Sequence, residues 1–497
     1  MNKIFFRKYW IYLFAVAFLL LHLPFLSADP PVGVSWSRGP WTDEGQYLAQ
    51  IRNLINNEHL DVNESGTFVG APLFSFVMYP LFIIFGTKLV VARCFVMICT
   101  LLSFIFIIRK RENHTGWIIS LTLVASQFYI FQYTHFAQAE LLQCDCILLA
   151  LLFYSLQREL PLSAFRKRYW YIFLACLWIS ISFWTKINTA YLLLLIPMSF
   201  SVELFLAILQ REGRKDAFFR LLAAMLFTVL LCAVYFVGWY LPFREVFALF
   251  SGNSLASATG FTLSLPNYIE LFIFNYHTLI NDHSLVFYLF LTAIILVVFV
   301  ILCCFRKTRL WLLGTSSPII FIFFFFCIEM HKMGYRYLPS RYLIPTIVAA
   351  CLMIGFGLEA MLMARPRWLA IVVLFLAMIV ANNIRYYVKA VTHRHYMVKE
   401  LNDYLGRYDL QNETIIGPWA PTATWVCKSR SLPIWRENYY HYDPIRRFHP
   451  RIIISENDES DSDSAYSKQG ISLSAISDSS RQFNIHFWKP VVYWLKQ

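Results

Sequence analysis

The sequence predicts an all-α polytopic membrane bundle of about 11 transmembrane helices, followed by a small α/β domain at the C-terminal end. Of the 497 residues, 58% are hydrophobic and only 15% are charged, whereas charged residues make up about a quarter of ordinary soluble domains. The apolar residues form repeated runs of about 17–23 residues, which are long enough to cross a hydrocarbon core as helices. Short clusters of Lys and Arg separate these runs, a pattern that sets membrane topology.

The first apolar run follows Lys3, Arg7 and Lys8 and is not followed by a small-residue cleavage site. This favours an uncleaved first span with a cytoplasmic N-terminus, and a removed signal peptide is the alternative. The predicted spans are 9–26, 88–108, 117–133, 139–157, 169–185, 188–208, 217–239, 285–305, 309–328, 341–363 and 368–387.

The apolar run 71–86 is left out of this set because it is short and contains Pro72 and Pro80. If it is an interfacial or re-entrant helix, all the strongly basic short loops face the cytoplasm, as the positive-inside rule requires. The loop 27–87 then lies outside, as does the tail. The predicted units are a transmembrane bundle over 1–387 and an extracytoplasmic domain over 388–497, with short β-like runs at 414–416, 451–455 and 483–488.

Several classes of function are excluded or disfavoured by what the sequence contains. The 11 cysteines include no CxxC pair and lie mostly in apolar runs, so free thiols are expected instead of a zinc ribbon or a disulfide framework. Nucleotide-loop and metalloprotease motifs are absent. The excess of 43 Lys and Arg over 30 Asp and Glu reflects topology and does not indicate a nucleic-acid partner.

Ionisable residues at the ends of spans are informative, because each costs about 2.5–3.5 kcal/mol at the bilayer centre and is usually retained for function. In the predicted topology Arg93, Glu140, Asp145, Lys186 and Arg341 all lie near the outer ends of their helices. This clustering predicts an outward-facing polar cavity. The alternative is that individual side chains snorkel to the headgroups or form structural ion pairs.

The first outer loop contains the adjacent carboxylates Asp43 and Glu44, directly after Thr42. Thr42 could cap a helix, and an acidic pair in a first helical turn is stabilised by the dipole, so a simple capped helix start is one interpretation. The other is a catalytic pair, favoured by the re-entrant helix and the cationic residues on the same face.

These residues resemble, in order and spacing, the GT-C class of integral-membrane glycosyltransferases, specifically the group of protein O-mannosyltransferases and the aminoarabinose transferase that modifies lipid A. The resemblance covers about residues 1–390, and Ala71 departs from it where the group often has a second proline or His-Pro. The matching elements are Asp43-Glu44, Pro72-Leu73, Phe85-Gly86, Ala92-Arg93, the segment from His135 to Glu140, Trp184-Thr185-Lys186, and Ser340-Arg341-Tyr342-Leu343-Ile344-Pro345.

The resemblance implies transfer of a sugar from a polyprenyl-phosphate donor to a lipid, glycan or protein acceptor on the extracytoplasmic face, with inversion. Asp43 is implied as the general base, with Glu44 orienting it or sharing that role. The implied phosphate ligands are Lys186 and Arg93, and the positions of Arg336 and Arg341 add these two as further candidates. The predicted polar cavity residues are His135, Glu140 and Asp145. No obligatory metal is expected, although His331 leaves a divalent metal open.

Two other classes of function remain as alternatives at this point. A secondary transporter or flippase of a lipid-linked or small polar substrate usually shows paired broken helices and repeat symmetry, which the sequence does not show. A ligase or polymerase of undecaprenyl-linked glycans also acts outside but is expected to lack the Asp-Glu pair. A purely structural membrane scaffold is the least favoured interpretation.

Overall fold

The computed structural model describes most of the chain, and all statements below concern those residues. They are 3–35, 37–64, 66–111, 114–250, 265–281, 291–293, 295–296, 300, 318–336, 338–364, 367, 369–434, 443–456, 465–486 and 488–496. The predicted span 285–305 and the start of 309–328 lie largely outside them.

The chain is mostly helical, with a small sheet near its C-terminal end. The helices are α1 (Lys3–His22), α2 (Gly39–Asn57), α3 (Gly66–Gly70), α4 (Pro72–Phe85), α5 (Leu89–Arg111), α6 (Thr115–Ser126), α7 (Phe128–Thr134), α8 (Ala139–Arg158), α9 (Phe165–Thr185), α10 (Leu195–Gln210), α11 (Arg214–Tyr235), α12 (Arg244–Phe250), α13 (Leu265–Asn281), α14 (Ile319–Met330), α15 (Ile344–Ala364), α16 (Leu369–Thr392), α17 (Met397–Leu405), α18 (Ala420–Ala423), α19 (Pro444–Phe448) and α20 (Leu473–Ile476). The strands are β1 (Thr414–Gly417), β2 (Arg430–Pro433), β3 (Ile452–Glu456), β4 (Ser477–Gln482) and β5 (Pro490–Leu495).

The described part of the chain contains six helices that are long and apolar enough to cross a membrane, so the chain is an integral membrane protein and the predicted total of 11 spans is not confirmed. The predicted span 117–133 is two helices, because the chain breaks at Gln127, whose side-chain oxygen accepts a hydrogen bond from the Ile130 amide at 2.9 Å. Helix α4 has 14 residues, fewer than the about 20 that a spanning helix needs.

Helix α8 is the centre of the bundle. Almost all its side chains are buried, and it packs against α5, α9 and α15. Helices α11 and α16 instead expose large apolar side chains, such as Val229 on α11 and Leu374 on α16, as expected of helices that face lipid. Helix α8 is therefore an interior helix of the bundle, whereas α11 and α16 lie on its lipid-facing outside.

Three of the basic loops that the sequence assigns to the cytoplasm, around residues 111, 168 and 220, lie in the described part of the chain and meet at one end of the bundle. Arg111 pairs with Glu159 at 2.5 Å, Arg158 with Glu203 at 3.2 Å, and Arg168 with Asp216 at 2.9 Å. These contacts connect the loops around residues 111, 159 and 216. The other ends of α8 and α9, at Ala139 and Thr185, lie at the opposite end of the bundle, which is the end that carries the loop with Asp43 and the tail.

The C-terminal domain is built on a five-stranded mixed sheet in the order β2-β1-β3-β5-β4. Strand β1 pairs in parallel with β2 and β3, whereas β5 is antiparallel to β3 and β4. The predicted strand at 483–488 is wrong: this segment has only an isolated bridge, between Ile485 and Trp488, and connects β4 to β5.

The sheet domain is docked directly on helix α2. The Arg52 guanidinium donates to the carbonyls of Pro421 at 2.7 Å and Thr424 at 2.8 Å and lies 4.1 Å from the Trp425 ring centroid. The Asn53 side-chain amide exchanges two hydrogen bonds with the Ser431 backbone, both at 3.0 Å. The first outer loop and the tail therefore lie on the same side of the bundle.

Candidate functional site

The acidic pair Asp43-Glu44 lies within helix α2, beyond its first turn. The helix begins at Gly39, and its first turn contains no acidic residue. The Thr42 hydroxyl donates to the Arg38 carbonyl at 3.0 Å, as a hydroxyl inside a helix commonly does. The expectation that Thr42 caps the helix is therefore wrong, and a capped helix start does not explain Asp43 and Glu44.

Asp43 is paired with an arginine from the start of α15. Its Oδ2 lies 3.1 Å from Nη1 of Arg341, which belongs to the 3₁₀ turn Ser340–Leu343. A β-carbon at Gly39 would stand 1.5 Å from the same nitrogen, so a larger residue there would force the Arg341 side chain to move. Burial raises the pKa of the Asp43 carboxyl, and the positive charge of Arg341 offsets part of that rise.

Glu140 and Lys186 extend this pairing into a network of four charges. Lys186 Nζ lies 2.5 Å from Glu140 Oε1 and 2.5 Å from the Tyr47 hydroxyl. Nε of Arg341 lies 3.8 Å from the same Glu140 oxygen. Two carboxylates and two cations thus share one buried site, with Tyr47 one helical turn beyond Asp43 on α2.

The backbone at Lys186 is extended and not helical, and this conformation places the side chain toward Glu140. Helix α9 ends at Thr185, and Lys186 is extended, with φ −160° and ψ 122°. The side-chain amide of Gln143, one turn after Glu140 on α8, donates to the Lys186 carbonyl at 2.8 Å and the Thr189 hydroxyl at 2.8 Å. Because it satisfies groups that a helix end leaves unpaired, α8 fixes both the side chain and the backbone of Lys186.

Aromatic rings border the network. The Tyr342 ring centroid lies 5.2 Å from Lys186 Nζ and 5.0 Å from the Arg341 guanidinium carbon, within the range of cation–π attraction. The Tyr133 and Ser340 hydroxyls are 3.0 Å apart. These contacts position the 3₁₀ turn that carries Arg341.

Glu44 points away from this network into a second buried pair. Its two oxygens accept from Nε and Nη2 of Arg93 at 2.8 and 2.6 Å, and Oε1 also accepts from the Ala137 amide at 2.6 Å. Nη1 of Arg93 donates to the carbonyl of Ala28 at 2.6 Å and that of Leu26 at 3.1 Å. All three guanidinium nitrogens are thus engaged, so these contacts favour a structural role for Arg93, and its role as a phosphate ligand stays a prediction.

Besides Glu44 and Arg93, three further predicted site residues lie outside the four-charge network. Asp145 is buried deeper on α8, where it accepts from the Thr100 hydroxyl at 2.7 Å. His135 forms a buried pair with His22, with the two Nδ1 atoms 3.1 Å apart. Arg336 is exposed. The structure therefore brings together Asp43, Glu140, Lys186 and Arg341 of the predicted set.

The sequence analysis missed a second charged cluster beside the first. Glu329 accepts from Lys332 Nζ at 2.6 Å and from the Tyr191 hydroxyl at 2.8 Å. Lys332 also donates to the carbonyl of Tyr342 at 3.1 Å, so Tyr342 separates the two clusters. The sequence signal for this cluster was Glu329, because a carboxylate inside an apolar run costs free energy in a membrane.

The network offers carboxylates but no ready metal site. Asp43 and Glu140 are its possible oxygen ligands, and each is paired with a cation. Among the described residues there is no group of three or more His, Cys, Asp or Glu side chains placed to hold a metal ion.

Comparison with known proteins gives the fold. No protein-family model matches the chain, and no curated protein matches it in sequence. Among solved structures, ArnT from Cupriavidus metallidurans bound to undecaprenyl phosphate is similar with a TM-score of 0.61 at 12% identity, over 97% of this chain and 97% of that chain. AglB, the oligosaccharyltransferase from Archaeoglobus fulgidus in complex with an inhibitory peptide and a dolichol-phosphate, is similar with a TM-score of 0.51 at 13% identity, over 91% of this chain and 70% of that chain. Both proteins are GT-C glycosyltransferases, and this chain has the GT-C fold.

Proposed function

We propose that the protein is a glycosyltransferase that moves a sugar from a polyprenyl-phosphate donor to an acceptor hydroxyl on the extracytoplasmic face of the cell membrane, with inversion. The observation that carries the proposal is the network in which Asp43, Arg341, Glu140 and Lys186 meet on a GT-C fold. Both the ArnT and the AglB structures were solved with a polyprenyl-type phosphate, which supports a lipid-linked donor here.

Asp43 is the proposed general base. In the reaction the acceptor oxygen forms a bond to the anomeric carbon, its proton passes to the Asp43 carboxylate, and the bond from that carbon to the phosphate oxygen breaks. A raised carboxyl pKa makes the carboxylate a better proton acceptor. One base and a phosphate leaving group suit a single displacement, which inverts the configuration at the anomeric carbon.

Lys186 and Arg341 are the proposed phosphate ligands. Fixed cations at the leaving group stabilise charge that develops in the transition state. Both cations pair with carboxylates, so a phosphate that binds them competes with Asp43 and Glu140 for the same positive charges. Glu140 Oε2 has no hydrogen-bond partner in the described part of the chain and is the proposed acceptor for a hydroxyl of the bound sugar.

Glu44 and Arg93 are proposed to hold this site in position. Their bidentate pair ties α2 to the start of α5, and the Ala137 amide ties the same carboxylate to the segment before α8. The position of α2 around Asp43 is therefore fixed by contacts to two other elements. This positioning role is an alternative to the phosphate-binding role that the resemblance implies for Arg93.

The proposed sidedness follows from charge. The basic loops meet at the end of the bundle opposite the network, and basic loops stay in the cytoplasm. The network and the sheet domain are then extracytoplasmic.

The test is a pair of assays on the full-length protein in lipid nanodiscs. Binding of undecaprenyl phosphate is measured first, and then transfer from a panel of polyprenyl-phosphate sugars to lipid, glycan and peptide acceptors. We expect saturable lipid binding that Lys186→Ala weakens and Lys88→Ala, at an exposed lysine, does not. Absence of lipid binding by the unmutated protein would overturn the proposal and favour a transporter.

A further inference from the structure

The lipid-facing helix α16 ends in a row of exposed basic side chains. Arg385, Lys389, His393 and Arg394, here called the basic stripe, are all exposed on its last two turns and the residues that follow. The first three are spaced four residues apart and therefore lie above one another on one helix face. The sequence from 360 to 399 contains no Asp or Glu, so the stripe is not neutralised by its own segment.

An apolar surface lies below the stripe. Helices α1 and α16 meet there: the Tyr387 hydroxyl donates to the Leu21 carbonyl at 3.4 Å, and Arg394 Nη1 donates to the Pro24 carbonyl at 3.1 Å. Both helices expose apolar side chains beside this contact, 62% of Leu20 on α1 and 51% of Val388 on α16. The surface thus has a charged upper part and an apolar lower part, like a lipid with its headgroup and acyl chains.

The stripe lies on the same side of the bundle as Asp43. The His395 ring, directly after the stripe, lies 5.0 Å from that of His486, which lies 5.4 Å from the ring of Trp41 on α2. In the proposed topology this side is extracytoplasmic, where Lys and Arg at the end of a span work against correct orientation. The positive-inside rule therefore does not account for Lys and Arg side chains at this end of α16.

We propose that the basic stripe and the apolar surface below it bind an anionic phospholipid of the leaflet that faces Asp43. The phosphodiester contacts Arg385, Lys389 and Arg394, and the acyl chains lie along α1 and α16. Lys and Arg side chains near a membrane surface attract anionic lipids. The binding does not depend on the proposed transfer reaction, because no residue of the four-charge network takes part.

The test places a photo-crosslinking amino acid at position 388, whose Val side chain is exposed, in the full-length protein. The protein is reconstituted in vesicles with equal amounts of phosphatidylglycerol and phosphatidylcholine, and the crosslinked lipids are identified by mass spectrometry. We expect phosphatidylglycerol to exceed phosphatidylcholine on the order of tenfold. The combined substitutions Arg385→Gln, Lys389→Gln and Arg394→Gln should bring the ratio near one.

The same crosslinker at position 374, midway along the lipid-facing part of α16, is the control and should show no headgroup preference in either protein. Equal crosslinking of both lipids at position 388 of the protein with an intact stripe would overturn the proposal. So would a preference that survives the triple substitution. A third arm adds undecaprenyl phosphate: if it displaces phosphatidylglycerol from position 388 at low molar ratio, the stripe belongs to the donor path and the phospholipid assignment fails.

Discussion

Arg341 and Asp43 lie far apart in the sequence and form an ion pair directly over Gly39. Nη1 of Arg341 lies 3.1 Å from Oδ2 of Asp43, and a β-carbon at Gly39 would stand 1.5 Å from the same nitrogen. The pair places the proposed base next to a cation that the leaving phosphate could attract. A larger residue at the first position of α2 would displace the Arg341 side chain from this pair.

Asp43→Asn should abolish glycosyl transfer and leave undecaprenyl phosphate binding nearly unchanged. The amide keeps the shape of the carboxylate but cannot take the acceptor proton, so the rate should fall on the order of 10²–10⁴-fold. Initial rates with a polyprenyl-phosphate sugar measure this, and Asp61→Asn in the same loop is the control. Transfer at the normal rate by Asp43→Asn would remove the base assignment.

Lys186→Ala should weaken undecaprenyl phosphate binding by about 10- to 100-fold, because a hydrogen bond to a charged group contributes about 1.5–3 kcal/mol. Lys186→Arg keeps the charge and should recover part of the affinity. Equilibrium titration in nanodiscs gives the dissociation constants, and melting temperatures show whether each variant is folded. Equal affinity of folded Lys186→Ala and the unmutated protein would contradict the phosphate role.

Arg93→Ala should destabilise the fold by about 3–5 kcal/mol, because it leaves the Glu44 carboxylate buried without its partner. The protein that remains folded should bind undecaprenyl phosphate with normal affinity. The double substitution Glu44→Met and Arg93→Met, which removes both charges, should recover stability. If Arg93→Ala melts like the unmutated protein but loses lipid affinity, Arg93 is a phosphate ligand after all.

Gly45→Ala should loosen the sheet domain from α2. The added β-carbon would stand 2.5 Å from the Thr422 backbone, and such overpacking costs about 1–3 kcal/mol. Gly238→Ala is the matched control, since a β-carbon there meets nothing within 4 Å. Limited proteolysis of the tail should be faster in Gly45→Ala only, and equal rates in the two variants would show that the contact is not close.

Asp29→Asn should change the pH dependence of stability. Burial raises the pKa of Asp29 to about 6, against a hydrogen bond from the Val398 amide that lowers it. Between about pH 4 and about pH 6 the native state therefore holds a proton that the unfolded chain has released. The contribution of Asp29 to the unfolding free energy falls as the pH rises through this range and is constant above it.

The side-chain amide of the Asp29→Asn variant has no charge to bury and can still accept from the Val398 amide. The melting temperature of this variant should exceed that of the unmutated protein above pH 6, and the two should converge near pH 4. Asp409→Asn, at an exposed carboxylate, is the control. A difference between Asp29→Asn and the unmutated protein that does not vary with pH would contradict the assigned pKa.

The sequence by itself determined the helical membrane bundle and the small C-terminal sheet, because apolar runs and short β-like runs can be counted along the chain, and it marked the Asp-Glu pair through the resemblance to GT-C glycosyltransferases. Only the tertiary structure decided that Asp43 faces Arg341 while Glu44 faces Arg93. Adjacent residues of a helix point about 100° apart, so the two carboxylates reach different partners. Gly39 and Gln143 carried no signal in the sequence, because their roles depend on what lies across from them, and those neighbours come from distant helices that only the folded bundle brings together.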